Sequence, residues 1–465
     1  MSEPLWTASE IARAVGGEVI GSDFAVSGLS IDSRSVEPGD LFIALAGVRD
    51  GHEFVAQAMG QGAVGALVSQ SQDGPAVLVP DTFKALEALG VAARIRAPQT
   101  RRGAITGSVG KTSVTQAVRA GLALAGKAHS SVKSYNNHIG VPLTLARMPR
   151  DTERAVFEIG MNHADEITPL SKMVAPHAAL ITTVGPVHVE NFPDGEAGVA
   201  KAKAEILDGL EPGGVAILNA ENVWFDQLQT AARRVGAQVV TFGTGEGADV
   251  RLLGFNPGPG QALVKARLHG QTLDFPILQT GFHWGLNSMA VLAMLHALDV
   301  TLEDSLAALG AFEPLAGRGA ERQVSLAGGD FTLIDESYNA NPISMAAAIS
   351  SLGARKTQGR RIVALTDMLE LGGEAEAFHR ALAEPLEAAK VDLVFCAGPL
   401  MKSLWDALPS TRRGGYAESA AQIGPQVAQA VEPGDVVMVK GSNGSRAGVV
   451  AAALVEAGRS YGERG

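Results

Sequence analysis

The chain has 465 residues, 46% of them hydrophobic and 19% charged, with a formal net charge of −11 and a single cysteine. No apolar run is long enough to cross a bilayer, the acidic balance argues against a general nucleic-acid coat, and one cysteine excludes an intrachain disulfide framework. At roughly 150 residues per domain the length predicts about three domains, and the opening Met1-Ser2-Glu3-Pro4-Leu5-Trp6 lacks the basic and apolar regions of a signal peptide, so a cytoplasmic protein is expected.

Residues 1–98 mix short strands with helices and end in Arg94-Ile95-Arg96-Ala97-Pro98-Gln99-Thr100-Arg101-Arg102, a polar, proline-containing stretch suited to a linker. A second block, 99–313, alternates β-branched runs with helical ones. The runs that read as strands are Ala104-Ile105, 154–159, 178–184, 214–218 and 238–242, which predicts a doubly wound, mostly parallel sheet with helices on both faces. The Gly/Pro-rich stretch 248–278 contains the alternating Ala262-Leu263-Val264-Lys265-Ala266-Arg267-Leu268, the mark of an antiparallel hairpin added to that sheet.

Thr106-Gly107-Ser108-Val109-Gly110-Lys111-Thr112 stands between the first of these strands and a helical run to Gly126. In a strand, turn, helix setting the backbone N–H groups at the positive end of a helix converge on phosphate oxygens, a lysine reaches the β/γ-phosphates and a hydroxyl ligates Mg²⁺. The pattern implies ATP or GTP. It departs from the general P-loop in one place, with Ile105 where the first glycine is usual and Gly107 taking over that part. Glu158 lies inside an apolar strand, where it meets a cation beside the nucleotide or points to solvent from the strand end. His188 follows the next strand as a loop residue or a metal ligand. Lys203, in Val199-Ala200-Lys201-Ala202-Lys203-Ala204-Glu205-Ile206, reads as one of two lysines facing water on an amphipathic helix.

The third block, 314–465, has strands at 331–335, 361–366, 391–397 and 435–440 between Ala-rich helices, so it too is α/β. Arg318 and Asp335 read as a surface arginine and a strand-end aspartate. Cys396, in an apolar run, reads as a buried structural thiol. Lys440-Gly441-Ser442-Asn443-Gly444-Ser445-Arg446 opens a helix after a strand and could hold an anion or be a plain connecting loop.

The order of the nucleotide turn, Tyr135-Asn136-Asn137-His138-Ile139-Gly140-Val141-Pro142-Leu143-Thr144, Glu158-Ile159-Gly160-Met161-Asn162, His188 and Ala202-Lys203 resembles the central domain of the Mur ligases, ATP-dependent ligases that build the peptide of bacterial cell-wall precursors. Ser30 to Leu45 and Asp50-Gly51-His52-Glu53-Phe54 resemble the UDP-binding domain of two branches of that family. Asp335-Glu336-Ser337-Tyr338-Asn339-Ala340-Asn341-Pro342 and Thr366-Asp367-Met368-Leu369-Glu370-Leu371-Gly372 are similar to the MurF branch.

The resemblance implies three domains: a small α/β UDP-binding domain (1–98), a P-loop domain (99–313) and a Rossmann-like carboxyl-terminal domain (314–465). It implies a monomer that joins D-alanyl-D-alanine to UDP-MurNAc-tripeptide with ATP and Mg²⁺. Gly107, Ser108, Val109, Gly110, Lys111 and Thr112 would hold phosphates, with His283, Asn287, Arg318 and Asp335 completing the ATP site. Trp284 stands where the family commonly has asparagine. Thr112, Glu158, His188 and a carbamylated Lys203 would serve the metal, and Lys111, Glu158, His188 and Lys203 the chemistry. Ser33, Arg34, Asn137, Tyr338, Asn339 and Asn341 would contact substrate. The alternatives are another Mur-type ligase, a folylpolyglutamate synthase-like enzyme, and a nucleotide-dependent switch or silent binding relative.

Overall fold

The structure is a computed structural model that describes residues 3–131, 135–258 and 260–462, the last three as backbone only; Met1 and Ser2 of the opening stretch lie outside the described residues. The first unit contains β1 (Trp6–Thr7), β2 (Glu18–Ile20), β3 (Ala25–Val26), β4 (Gly28–Ser30), β5 (Asp40–Ile43), β6 (Gly65–Val68) and β7 (Ala76–Leu78). β1 pairs with β3, and the rest form a five-stranded sheet in the order β2-β7-β6-β5-β4 with only β2 antiparallel to its neighbour. Thr7 and Glu10 start the first helix, Ala8–Val15, by exchanging hydrogen bonds in a capping box, and Asp81 caps Thr82–Ile95 through the Phe83 and Lys84 N–H groups.

The stretch expected to be a linker is firmly built in. Its first residues finish the helix Thr82–Ile95 and its last begin β8 (Arg101–Thr106). Arg96 donates to Leu5 O at 2.6 Å and Met148 O at 3.0 Å, and Arg102, 4% exposed, bonds Glu211 at 3.0 Å. These arginines are polar because they terminate buried backbone, not because they face water.

The central sheet continues with β9 (Ala128–Ser130), β10 (Arg154–Glu158), β11 (Ala178–Ile181), β12 (Val215–Asn219), β13 (Gln238–Gly243), β14 (Val250–Gly258), β15 (Gln261–Leu268) and β16 (Gln271–Ile277). Its order is β16-β15-β14-β13-β12-β11-β8-β10-β9, parallel from β9 to β14. Both faces are buried, as in most parallel sheets. Because side chains alternate along a strand, Ile105, Val156 and Leu180 enter one core while Ala104, Phe157 and Ile181 enter the other. The expected hairpin at 248–278 is a three-stranded antiparallel meander, β14 to β16, whose alternate residues bury one face.

The third sheet contains β17 (Ala320–Leu326), β18 (Gly329–Glu336), β19 (Arg361–Thr366), β20 (Leu393–Ala397), β21 (Arg413–Ala417) and β22 (Val436–Lys440) in the order β17-β18-β22-β19-β20-β21. The β17–β18 hairpin was not legible in the sequence, since β17 reads Ala320-Glu321-Arg322-Gln323 before its first buried apolar residue, Val324. Cys396 sits in β20 at 0% exposure, where burial pushes its thiol up to about 12. Among the described residues no helix is long and apolar enough to cross a membrane.

Candidate active site

β8 lies where the central chain order reverses, with β10 on one side and β11 on the other, and open α/β sheets bind ligands beyond strand ends at such a point. The turn after β8 leads directly into the helix Lys111–Ala125, whose cap, Gly110, offers no side-chain hydrogen bond, so the helix start faces outward with its N–H groups. Gly107 has φ 147°, and a Cβ there would stand 1.9 Å from Thr182 Oγ1; Gly110 has φ 87°. Both glycines are required by backbone. Thr182 Oγ1 donates to Val109 O at 2.5 Å and Ser108 Oγ to Gly185 O at 3.1 Å, which pins the turn to the end of β11. Lys111 Nζ donates to Gly107 O at 2.6 Å, and burial pulls its pKa down, opposed by the Glu158 charge and assisted by Arg318.

The turn forms the floor of a cavity of about 350 Å³ whose opposite wall comes from the third block. Ser108, Val109, Gly110, Lys111, Thr112, Glu158, His283 and Asn287 line the central side, and Arg318, Tyr338, Asn339 and Asn341 line the other. The Arg318 guanidinium stacks 3.9 Å from the centre of the Tyr338 ring, while Asn341 also caps the helix Pro342–Ala354. His283 opens the helix His283–Ala297, with burial lowering its imidazole pKa, Glu336 opposing and Lys440 assisting. Trp284 turns away into the core, 3% exposed and 5.7 Å from the Phe312 ring. The blocks are further clasped by Arg355, which bonds Glu321 Oε1 and Oε2 at 2.5 and 2.6 Å and Thr280 at 3.2 Å.

Other expected residues stand outside the walls of this cavity. Asp335 accepts a hydrogen bond from Ser337 N at 3.1 Å, and its successor Glu336 faces the cavity instead. Ser33 bonds Gln57, Arg34 pairs with Asp32 at 2.7 Å on the surface of the first unit, and Asn137 accepts from the Ile139 and Gly140 N–H groups at the start of the helix Gly140–Ala146.

Lys203 is the clearest reversal of a water-facing reading: it is 1% exposed, and its Nζ lies 4.0 Å from Met161 Sδ. Burial, then the Lys111 charge, lowers its pKa well below the ordinary lysine value. His188 donates from Nδ1 to Glu370 of the third block at 2.6 Å. Burial lowers its pKa, with Glu370 opposing and Lys111 and Lys203 reinforcing.

Glu158, 2% exposed, accepts from Asn136 Nδ2 at 2.8 Å through Oε1 and lines the cavity beside the turn. Among the described residues no three His, Cys, Asp or Glu side chains converge as a metal cage. A hydroxyl and one carboxylate beside a phosphate-binding turn suit Mg²⁺, which takes much of its shell from phosphate and water.

Sequence reasoning did not single out Asn136, Asn219, Phe242 or Glu336, and it offered Lys440 only as the start of a loop that could hold an anion; all of these also line the cavity. Asn219 and Phe242 sit at the carboxyl ends of β12 and β13, so the strand-end rule could have found them. Lys440 is 3% exposed and donates to Glu336 Oε2 at 3.4 Å and Asn339 O at 3.1 Å.

Comparison with known proteins gives three domain matches along the chain: the Mur ligase family catalytic domain over residues 25–94, the Mur ligase middle domain over 105–295, and the Mur ligase glutamate ligase domain over 322–443. The chain is 32% identical to the UDP-N-acetylmuramoyl-tripeptide–D-alanyl-D-alanine ligase of Bacillus subtilis, the match covering 97% of this chain and 98% of that one. It is 35% identical to the Escherichia coli protein of the same name, over 84% of this chain and 86% of the other. The crystal structure of MurF from Acinetobacter baumannii superimposes with a TM-score of 0.85 at 29% identity, covering 97% and 99% of the two chains.

Proposed function

The chain belongs to the Mur ligase family, and from that premise we propose that it joins D-alanyl-D-alanine to the free carboxylate of UDP-N-acetylmuramoyl-tripeptide at the expense of ATP, forming the pentapeptide precursor of peptidoglycan. The observation that carries this reading is the cavity floored by the nucleotide turn and walled by the third block, in a chain alike to such ligases along its whole length. A carboxylate is a poor acyl donor. Its oxygen attacks the γ-phosphorus of ATP, ADP leaves, and the acyl phosphate so formed is attacked by the dipeptide amine; phosphate then departs carrying the former carboxylate oxygen.

The N–H groups of the 107–112 turn hold the phosphates, Lys111 offsets their charge, and Arg318 reaches them from the third block. His283, Asn287 and Asp335 serve the nucleoside end. Ser33 and Arg34 hold the uridine diphosphate in a domain spanning 1–98, and Asn137, Tyr338, Asn339 and Asn341 contact the rest of the substrate between the domains 99–313 and 314–465. Mg²⁺, held by Thr112, Glu158, His188 and Lys203, would supply positive charge against the phosphates. The low pKa of Lys203 supports its part, because a neutral amine can take up CO₂ and become an anionic carbamate where an ammonium would repel a cation. The enzyme works as a cytoplasmic monomer whose third domain closes to exclude water from the acyl phosphate.

Phosphate release from ATP, measured with Mg²⁺ and each substrate omitted in turn, should require both the tripeptide and D-alanyl-D-alanine, with a pentapeptide product by mass spectrometry. ATP binding with no product from any UDP-muramoyl-tripeptide would overturn the assignment.

A further inference from the structure

His188 and Glu370 come from different blocks. His188 sits on the turn after β11 and begins the short helical turn Val189–Asn191; Glu370 lies between β19 and the helical turn Gly372–Glu374. Both have a left-handed backbone, φ 54° and 64°, which side chains other than glycine seldom adopt without a local reason. Beside them Gly372, φ 59°, packs so closely that a Cβ there would stand 3.1 Å from Glu190 Cβ. Two loops are therefore shaped to meet, and their meeting point is the 2.6 Å contact from His188 Nδ1 to Glu370 Oε2. An imidazole whose Nδ1 carries the hydrogen keeps its lone pair on Nε2, and a carboxylate on the far nitrogen is how proteins orient histidines that ligate cations.

We propose that Glu370 is a positioning residue: it accepts the Nδ1 proton of His188 from across the block boundary, fixing the tautomer and ring orientation only when the third block is docked. Closure and completion of the cation site then become one event, because the group that aims His188 arrives with the third block. This rests on the reading of His188 as a metal-holding residue.

The test uses the full-length chain labelled with ¹⁵N-histidine, bound to ADP, with Mn²⁺ as the metal probe. Long-range ¹H–¹⁵N correlation reports the His188 tautomer, assigned by its loss in His188→Ala, and electron paramagnetic resonance reports Mn²⁺ affinity. In the unaltered chain His188 should be protonated at Nδ1. Glu370→Ala should produce a tautomer mixture and weaken Mn²⁺ about 10- to 100-fold, the usual consequence of losing such a partner, while metal-free ADP affinity stays unchanged. Glu370→Gln keeps an acceptor oxygen and should stay within about threefold of the parent, as should the exposed control Glu374→Ala. An unchanged tautomer and Mn²⁺ affinity in Glu370→Ala, with His188→Ala impaired, overturns the positioning role alone. So does Glu370→Gln failing as badly as Glu370→Ala. Mn²⁺ affinity indifferent to His188→Ala overturns the premise with it.

Discussion

Two buried lysines, Lys440 in the third block and Lys203 in the central block, are held in opposite ways. Lys440, on the third-block wall, is met by the Glu336 carboxylate and the Asn339 carbonyl. Lys203, in the central block, has Met161 Sδ as its one close polar contact among the described residues and feels the charge of another lysine, Lys111. A buried lysine with no carboxylate beside it is driven toward the neutral amine, as at Lys203. The contrast separates a lysine held by neighbouring acceptors from one left without a carboxylate.

The largest way to break the contrast is at Lys203. Lys203→Ala should cut turnover by ~10²- to 10³-fold, the scale of removing one electrostatic stabiliser, with partial rescue by a small added carboxylate; full activity without rescue would refute the carbamate reading. Glu336→Ala removes the partner instead. It should destabilise the chain by about 1.5 kcal/mol in urea unfolding, the scale of one hydrogen bond to a charged group, because Lys440 keeps the Asn339 carbonyl but loses the carboxylate. A loss no larger than an exposed substitution would mean that Lys440 finds water readily.

Gly107→Ala tests the floor between the walls. With φ 147° and Thr182 Oγ1 in the way, ATP affinity should fall by about 5- to 150-fold, reflecting strain of about 1–3 kcal/mol; calorimetric titration with unchanged affinity would show that the turn can move aside.

The acid dependence of stability sharpens the same comparison. Between the lowered native pKa of Lys203 and its ordinary 10.5, the unfolded chain holds a proton that the native amine lacks, so this residue makes the parent less stable as pH falls through that window. Lys203→Met lacks the term. In CO₂-free buffer its stability advantage should widen from pH 9.5 to 7.5, by up to ~1.4 kcal/mol per pH unit; parallel curves would place the amine in a wetter site. Smallest of all, Arg355→Ala should loosen the clasp to Glu321 and Thr280, costing about 1 kcal/mol and enlarging the scattering radius of the nucleotide-bound chain.

How far the sequence carried these assignments depended on how local each signal is. The nucleotide turn was legible because strand, glycines, lysine and helix are consecutive, and Glu158 because a carboxylate in an apolar run needs an explanation. Asp335 and Glu336 show the limit of strand reading: adjacent residues face opposite sides of a sheet, and it is Glu336 that lines this cavity, which an apolar run ending in two carboxylates does not announce. Lys201 and Lys203 show the limit for helices. They lie two residues, about 200°, apart on the helix Glu196–Ala204, so one is exposed and the other buried, and an Ala-rich pattern does not say which. The meeting of His188 with Glu370 depends on how two blocks dock, and no spacing encodes it.

An acyl phosphate leaves its trace in the fate of one oxygen. If the UDP-muramoyl-tripeptide is supplied with ¹⁸O in its reacting carboxylate, one labelled oxygen should appear in the phosphate released with each pentapeptide formed. Pentapeptide accompanied by unlabelled phosphate would contradict the acyl phosphate, and with it the chemistry assigned to this cavity.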